Sequence, residues 1–188
     1  MNTPAHLILG AAAFADPADR RRTWGAILGA FAPDLSLYVM AGVAIWILGI
    51  SPQQVFGTLY YSTAWQGVFA VDNSFVLWGI GLALALWAGS GWAVAFTGAA
   101  LLHLATDLPL HGHDARMHFW PVTDWKFHSP LSYWEGASGR IWSWVEMTVT
   151  AGLAILLIFR PYSLSWRLLF AALALAELAP ALFWSLMF

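Results

Sequence analysis

Long hydrophobic runs, broken by short polar stretches, organise the chain. Residues 24–50 contain a single charged side chain, Asp34, and residues 75–102 contain none. The second run is longer than one membrane crossing, which takes about 20 residues, and Gly89-Ser90-Gly91 supplies a turn within it. The pattern therefore predicts apolar helices packed as a bundle. These helices are predicted at about residues 3–16, 24–50, 72–88, 92–108, 139–159 and 166–188.

Two polar segments separate the predicted helices. Ser51-Pro52 is typical of a helix N-cap followed by proline at the first helical position. It opens a segment, residues 55–66, whose aromatic side chains suit the surface of a membrane. Residues 109–138 form the second segment, a loop rich in His and aromatic residues that we predict lies outside the membrane.

The composition excludes an ordinary soluble domain. Of the 188 residues, 60% are hydrophobic and only 10% are charged, too few charges to cover a water-exposed surface. The length allows about five or six membrane crossings. We therefore predict an all-α fold, a polytopic membrane helical bundle with one domain over residues 1–188, and membrane lipids as partners. A net charge of −2 without a basic run excludes nucleic acid as a partner, and the absence of Cys excludes thiolate ligands.

The basic residues predict the orientation in the membrane. No Lys or Arg precedes the apolar start, residues 1–14, whereas Arg20 to Arg22 follow it, so we expect a short retained helix rather than a signal peptide. If the helices alternate, five of the eight Lys and Arg residues fall on one side, and cytoplasmic loops carry such an excess. Loop 109–138 is therefore predicted on the opposite side, outside the cytoplasm.

Six polar residues within the predicted helices fall at a similar depth. Counted from the assumed cytoplasmic helix ends at a rise of about 1.5 Å per residue, they lie about 14 to 23 Å above that face. Ionisable side chains in lipid are energetically costly and mark functional sites. The six residues are His6, Asp34, Asn73, His103, Asp107 and Glu146.

The residue types in this layer predict a metal site. His103 and Asp107 are four residues apart and share one helical face. Imidazole and carboxylate groups suit zinc or a similar divalent ion, and such sites form between facing helices of a bundle. The predicted ligands are His6, Asp34, His103, Asp107 and, through its carbonyl oxygen, Asn73. A metal-free polar network that holds the helices together is the alternative.

The His-rich part of the loop is a second candidate. His111, His113, Asp114 and His118 fall within eight residues, and a loop can bring such side chains around one ion. A solvated surface loop is the simpler interpretation. The aromatic residues that follow suit a membrane interface or a contact with a partner.

Three short motifs carry a resemblance to a known family. Thr3-Pro4-Ala5-His6, then Gly29-Ala30-Phe31-Ala32-Pro33-Asp34-Leu35, then Leu102-His103-Leu104-Ala105-Thr106-Asp107 resemble the bacterial membrane-bound metal-dependent hydrolases, one of which is LexA-regulated. The resemblance implies a multi-pass protein of the bacterial inner membrane. Similar sequences sometimes carry a cobalamin-biosynthesis label, but the chain contains no nucleotide or corrin motif that supports it.

The chain departs from the family pattern at the third helix. Members of the family have a Thr-His-Ser-like element there, whereas this chain has Val71-Asp72-Asn73-Ser74. Asn73 therefore stands where the family has a His, and a strong nitrogen ligand is lost. Asp72 is a charged group that could substitute for it.

Two classes of function follow. In the first, the ion activates a water molecule that attacks an ester or phosphoester of a lipid-like substrate, with Glu146 or Asp72 as the base. In the second, the chain is a non-catalytic subunit or assembly factor that packs against a membrane protein partner through its thirteen Trp and twelve Phe residues. The resemblance favours the enzyme, and the missing third-helix His favours the subunit.

Overall fold

A computed structural model describes residues 1–133 and 136–178, and every ordered element in them is helical. The prediction of an all-α fold is confirmed. Residues 134 and 135, within the predicted loop, and residues 179–188, in the last predicted helix, lie outside the described residues. The helices are α1 (Thr3–Phe14), α2 (Arg20–Gly42), α3 (Pro52–Gln54), α4 (Thr63–Asp72), α5 (Phe75–Trp87), α6 (Gly91–Asp107), α7 (Gly136–Phe159) and α8 (Leu164–Ala176).

Polar side chains set most of the helix starts. The carboxylate of Asp19 accepts from the first backbone N–H groups of α2, and Ser51, Ser62, Ser74 and Ser90 cap α3, α4, α5 and α6 in the same way. Each cap satisfies a donor that a helix end leaves unpaired. The predicted N-cap at Ser51 and the predicted turn at Gly89, where φ is +62°, are therefore confirmed.

The third predicted helix begins at a different place. The apolar pattern predicts a helix over residues 72–88 and a surface segment over 55–66, but α4 already begins at Thr63 and a break at Asn73-Ser74 separates it from α5. The polar residues Ser62 and Gln66 interrupt the apolar periodicity, so the sequence pattern does not predict a helix that begins at Thr63. Together α4 and α5 form one apolar span, Thr63–Trp87.

Four helical segments in the described residues are long and apolar enough to cross a membrane. They are Arg20–Ile47, in which a π-helical turn extends α2, then Thr63–Trp87, Gly91–Leu110 and Gly139–Phe159. The outward-facing side chains are apolar as well, with Trp46 84% exposed and Trp87 87% exposed. Such a surface suits lipid rather than water. The shorter helices α1 and α8 are also apolar.

Helices α2 and α6 form the most extensive helix pair, and glycines bring their backbones together. A Cβ atom at Gly29 would lie 1.9 Å from the carbonyl oxygen of Phe96, and one at Gly25 would lie 2.6 Å from that of Trp92. Small residues allow this close approach in membrane bundles, where packing rather than water exclusion drives association. Helix α1 packs against α2, α6, α7 and α8, and this arrangement places its polar residues inside the bundle.

The loop after α6 folds back onto itself and onto α5. Backbone N–H groups of Ser129 and Tyr133 donate to the carbonyl oxygens of His111 and Leu110, at 3.0 and 2.8 Å. The backbone N–H of Phe75, at the start of α5, donates to the backbone carbonyl oxygen of His118 at 2.8 Å. These bonds order the loop directly above the polar end of α6.

Candidate metal centre

Three helices bring four of the predicted site residues together. His6 comes from α1, Asp34 from α2, and His103 and Asp107 from successive turns of α6. The imidazoles of His6 and His103 stack with ring centroids 3.5 Å apart and an angle of 10° between planes. The structure thus brings these four predicted residues close together.

The imidazoles and carboxylates face one another at distances that suit metal ligands. Nε2 of His6 lies 3.0 Å from Oδ1 of Asp107, and Nε2 of His103 lies 3.4 Å from Oδ2 of Asp107. His103 Nε2 is also 3.7 Å from Oδ1 of Asp34. Ligands about 2.0–2.1 Å from a tetrahedral ion are about 3.3 Å from one another. The observed separations lie close to this value.

The hydrogen bonds of the two imidazoles leave Nε2 as the free nitrogen. His103 donates from Nδ1 to the carbonyl oxygen of Ala30 at 2.7 Å. Thr106 donates its hydroxyl proton to backbone carbonyls, so the 3.4 Å contact of His6 Nδ1 with its oxygen has Nδ1 as the donor. Each neutral imidazole then carries a lone pair on Nε2. Histidines that bind metals are oriented in this way.

These lone pairs have no hydrogen-bond partner although both nitrogens are buried. His6 and His103 are 1% and 2% exposed, and each Nε2 faces Asp107 without forming a well-aligned hydrogen bond. Lone pairs that face a carboxylate in an apolar interior repel it unless a cation lies between them. His6, His103 and Asp107 therefore form a group that could hold a metal ion.

A third imidazole, His111, reaches the same carboxylate. Its Nε2 lies 3.1 Å from Oδ2 of Asp107, and its Nδ1 lies 2.7 Å from Oδ2 of Asp114. Burial acts to lower the pKa of His111, but Asp107 and Asp114 outweigh burial and raise this pKa to about 9. Without an ion the carboxylates thus favour a second proton on His111, and a metal ion that binds this imidazole would displace that proton.

The sequence pattern predicts His111 within a separate loop site and does not predict its contact with Asp107. The signal was the repeated spacing His103-x3-Asp107-x3-His111, which keeps all three side chains on one face when the helix continues past Asp107. A short 3₁₀ turn, Leu108–Leu110, provides that continuation. The predicted loop site does not form as one group in the described residues, because His113 contacts Tyr61 whereas His118 contacts Asn73.

Asn73 and Asp72 lie beside the layer rather than among the three converging side chains. The amide nitrogen of Asn73 donates to the carbonyl oxygen of Pro33 at 3.2 Å and to Oδ1 of Asp72 at 3.0 Å. Asn73 therefore ties the break between α4 and α5 to α2, next to Asp34. The backbone carbonyl oxygen of Asn73 accepts from Nδ1 of His118 at 3.0 Å.

Glu146 is connected to the centre through the first residues of the chain. Its Oε1 accepts from the backbone N–H of Asn2 at 2.6 Å, while Oε2 is buried without a hydrogen-bond partner. The neighbouring Met1 nitrogen donates to Oδ1 of Asp107 at 2.6 Å. The amide of Asn2 also donates to Glu177 at 2.9 Å. Glu146 thus lies beside the centre and is linked to it through Asn2 and Met1.

Comparison with protein families, with curated proteins and with solved structures finds no match to this chain.

Proposed function

We propose that this chain is a membrane-embedded, metal-dependent hydrolase of the bacterial inner membrane. The ion, zinc or a similar divalent metal, would be held by His6, His103 and Asp107, with Asp34 beside His103 and His111 beside Asp107. The observation that carries the proposal is the convergence of unpartnered Nε2 atoms on one buried carboxylate. Two of the three short motifs that resemble metal-dependent hydrolases supply these residues.

The surrounding residues support this ligand set. Ala30, Thr106 and Asp114 each accept from the Nδ1 of one imidazole and so direct its Nε2 towards Asp107. The carboxylate of Asp34 is held by the hydroxyl of Thr3, which donates to its Oδ2 at 2.5 Å. Its Oδ1 faces Nε2 of His103 at 3.7 Å. Preorganised outer groups of this kind are typical of metal sites.

The chemistry of the site favours hydrolysis. A bound divalent ion supplies a Lewis acid and a water molecule whose pKa is lowered to about 7. Glu146 is better placed than Asp72 to take the proton, because Asn2 and Met1 connect it to Asp107 whereas Asp72 is bonded to Asn73 beside the centre. The site lies among apolar helices, so an ester or phosphoester with a lipid-like part is the substrate that reaches it most readily.

Hydrolysis of simple esters tests the enzyme proposal. We expect detergent-purified protein to hydrolyse a chromogenic phosphodiester or carboxylic ester, with loss of activity in a chelator and recovery on adding zinc. Glu146→Gln should lower kcat at least about tenfold with its metal retained, because general-base catalysis typically contributes about 100-fold or more. Stopped assays on both proteins, with metal content measured on the same samples, provide the comparison. Full activity in the chelator would remove the metal-dependent mechanism.

Asp114 provides a test of the metal site that is independent of catalysis. Asp114→Asn removes the carboxylate that accepts from His111 Nδ1, and we expect zinc affinity to fall about 10- to 100-fold, as for other carboxylates behind a metal-bound His. Competition with a zinc-binding dye measures the affinity. Asp124→Asn, at an exposed aspartate of the same loop, is the control and should keep the wild-type affinity. Equal affinities in all three proteins would mean that His111 does not bind the ion.

The non-catalytic subunit is the second candidate, and one surface feature favours it. Phe119, Trp125 and Phe127 form a row of neighbouring rings on the loop, with centroids 6.0 and 6.2 Å apart, and Trp125 is 54% exposed. Exposed aromatic rows are suited to contacts with another membrane protein. A folded chain that contains no metal would favour this candidate over the enzyme.

A further inference from the structure

Arg116, in the loop above the metal centre, is a buried cation that forms no direct ion pair in the described residues, although Asp72 and Asp114 lie within range of its charge. The residue is only 7% exposed, and its Nη1 is fully buried without a hydrogen-bond partner. Among the described residues, the arginine found in an ion pair is Arg22, with Asp16 at 3.9 Å, and no carboxylate pairs with Arg116. Buried guanidinium groups are rare unless an anion compensates them, because removing a charge from water is energetically costly.

Two aromatic rings hold the guanidinium group in a fixed place. Its Cζ lies 4.0 Å from the centroid of Phe69 and 4.9 Å from that of Tyr60. These cation–π contacts stabilise and orient the flat group, but they contribute only about 0.5 to 2 kcal/mol and do not neutralise it. Its Nη1 is the donor that remains for another ligand.

A second cation lies in the same part of the loop. Lys126 donates to Oε1 of Gln66, on the helix that also carries Phe69, at 2.8 Å. Burial lowers the pKa of Lys126, and the charge of the nearby Arg116 lowers it further. Like charges held close together favour an anion near them. Arg116 and Lys126 therefore form a positive patch built onto α4.

This patch adjoins the metal centre. His118, two residues after Arg116, is buried and donates from Nδ1 to the backbone carbonyl oxygen of Asn73 at 3.0 Å. Asn73 is in turn bonded to Pro33, the neighbour of Asp34, so this contact joins the loop at the patch to the edge of the centre. Asp114, on the other side of Arg116, uses its Oδ2 to bind His111. The loop thus connects the buried guanidinium to the candidate metal ligands over a few residues.

We propose that Arg116 binds the phosphoryl group of the substrate, so that the hydrolysed compound is a phosphoester rather than a carboxylic ester. A guanidinium group offers a planar pair of N–H donors that matches phosphate oxygens. The ester bond is then held between the positive patch and the ion. This identification of the substrate rests on the proposed hydrolase function, whereas phosphate binding by Arg116 does not.

Phosphate binding by the full chain in detergent tests the proposal, with and without a chelator. A bound metal ion would also attract phosphate, so the chelator is needed to remove that contribution. Phosphate binding by the chelated protein then reports on Arg116. We expect inorganic phosphate to bind the chelated wild type, and Arg116→Met to weaken this binding at least tenfold, as expected for the loss of a charge-assisted hydrogen bond in a buried site. Arg140→Met, at an exposed arginine, is the matched control and should bind as the wild type does.

Competition for the bound inorganic phosphate distinguishes a lipid phosphate from a soluble one. The two competitors are vesicles of phosphatidylcholine with added phosphatidic acid, and glycerol 3-phosphate. Displacement of inorganic phosphate by either, dependent on Arg116, supports the proposal, and the stronger competitor identifies the source.

Two results would overturn it: no phosphate binding by chelated wild type, or equal binding by Arg116→Met. If that variant does not fold, Arg116→Lys decides, because lysine keeps the charge but loses the planar pair of donors. A decrease of threefold or more in the phosphate affinity of Arg116→Lys then supports the proposal, and an unchanged phosphate affinity rejects it. Phosphate binding without any metal binding would leave Arg116 as an anion site while removing the hydrolase function.

Discussion

Detergent-purified wild-type protein is expected to contain about one divalent metal ion per chain, and the double variant His103→Ala, Asp107→Ala to contain almost none. The double variant removes an imidazole and the carboxylate on which the other ligands converge. With these two groups absent, His6 loses both its stacking partner and its facing carboxylate. Elemental analysis by mass spectrometry, on protein purified without added metal and again after zinc addition, measures the content.

A matched control separates ligand loss from general damage. Asp124 and His128 have the same residue types at the same spacing of four, and both lie in the exposed part of the loop. Asp124→Ala with His128→Ala should therefore keep the wild-type metal content. Folded wild-type protein that stays metal-free after zinc addition would contradict the metal site and would leave the polar network and the subunit function as the better interpretations.

Gly29→Ala is expected to destabilise the bundle strongly. The new Cβ would lie 1.9 Å from the carbonyl oxygen of Phe96, so α2 and α6 must move apart. Overpacking of this kind costs about 3 kcal/mol, and a clash with backbone cannot be relieved by rotating a side chain. Since Ala30 adjoins Gly29 and its carbonyl oxygen accepts from His103, the metal content should fall together with the stability. Thermal unfolding in detergent, followed by circular dichroism, measures the first effect.

Gly67→Ala is the control for this substitution. Gly67 also lies within a helix, but nothing approaches the position of a new Cβ within 4 Å. Alanine is the better helix former by about 0.5 to 1 kcal/mol, so this variant should be as stable as the wild type or slightly more stable. If Gly29→Ala behaved like Gly67→Ala, the close packing of α2 on α6 would be wrong, and with it the distance between Ala30 and His103.

The connection between packing and site gives glycine a functional role in this chain. His103 is oriented by a backbone carbonyl of the neighbouring helix, and that carbonyl comes within reach because Gly25 and Gly29 remove the side chains between α2 and α6. A helix pair separated by ordinary side chains lies about 8 to 10 Å apart at its axes. The glycines of α2 therefore help to form the site as well as the bundle.

Much of the fold follows from the sequence because lipid imposes simple rules. Uncharged runs of about 20 residues must become helices in a bilayer, since no other single segment satisfies its backbone there. Serine and aspartate before such a run, and Gly89 in a turn, then fix where helices begin and end. The same reasoning predicted that His6, Asp34, His103 and Asp107 share a layer, because helical rise converts residue number directly into depth.

Only the tertiary structure decided which polar residues in that layer meet. Depth does not determine the rotation of a helix about its axis, and the rotation of α4 and α5 directs the side chain of Asn73 to Pro33. His111 joins Asp107 because the chain continues as a tight turn after α6, a local choice that a loop rich in Gly and His does not reveal. The burial of Arg116 against Tyr60 and Phe69 likewise depends on contacts between residues about fifty apart. Apolar length and helix caps act locally and can be read from the sequence, whereas the pairing of polar groups depends on how whole helices pack.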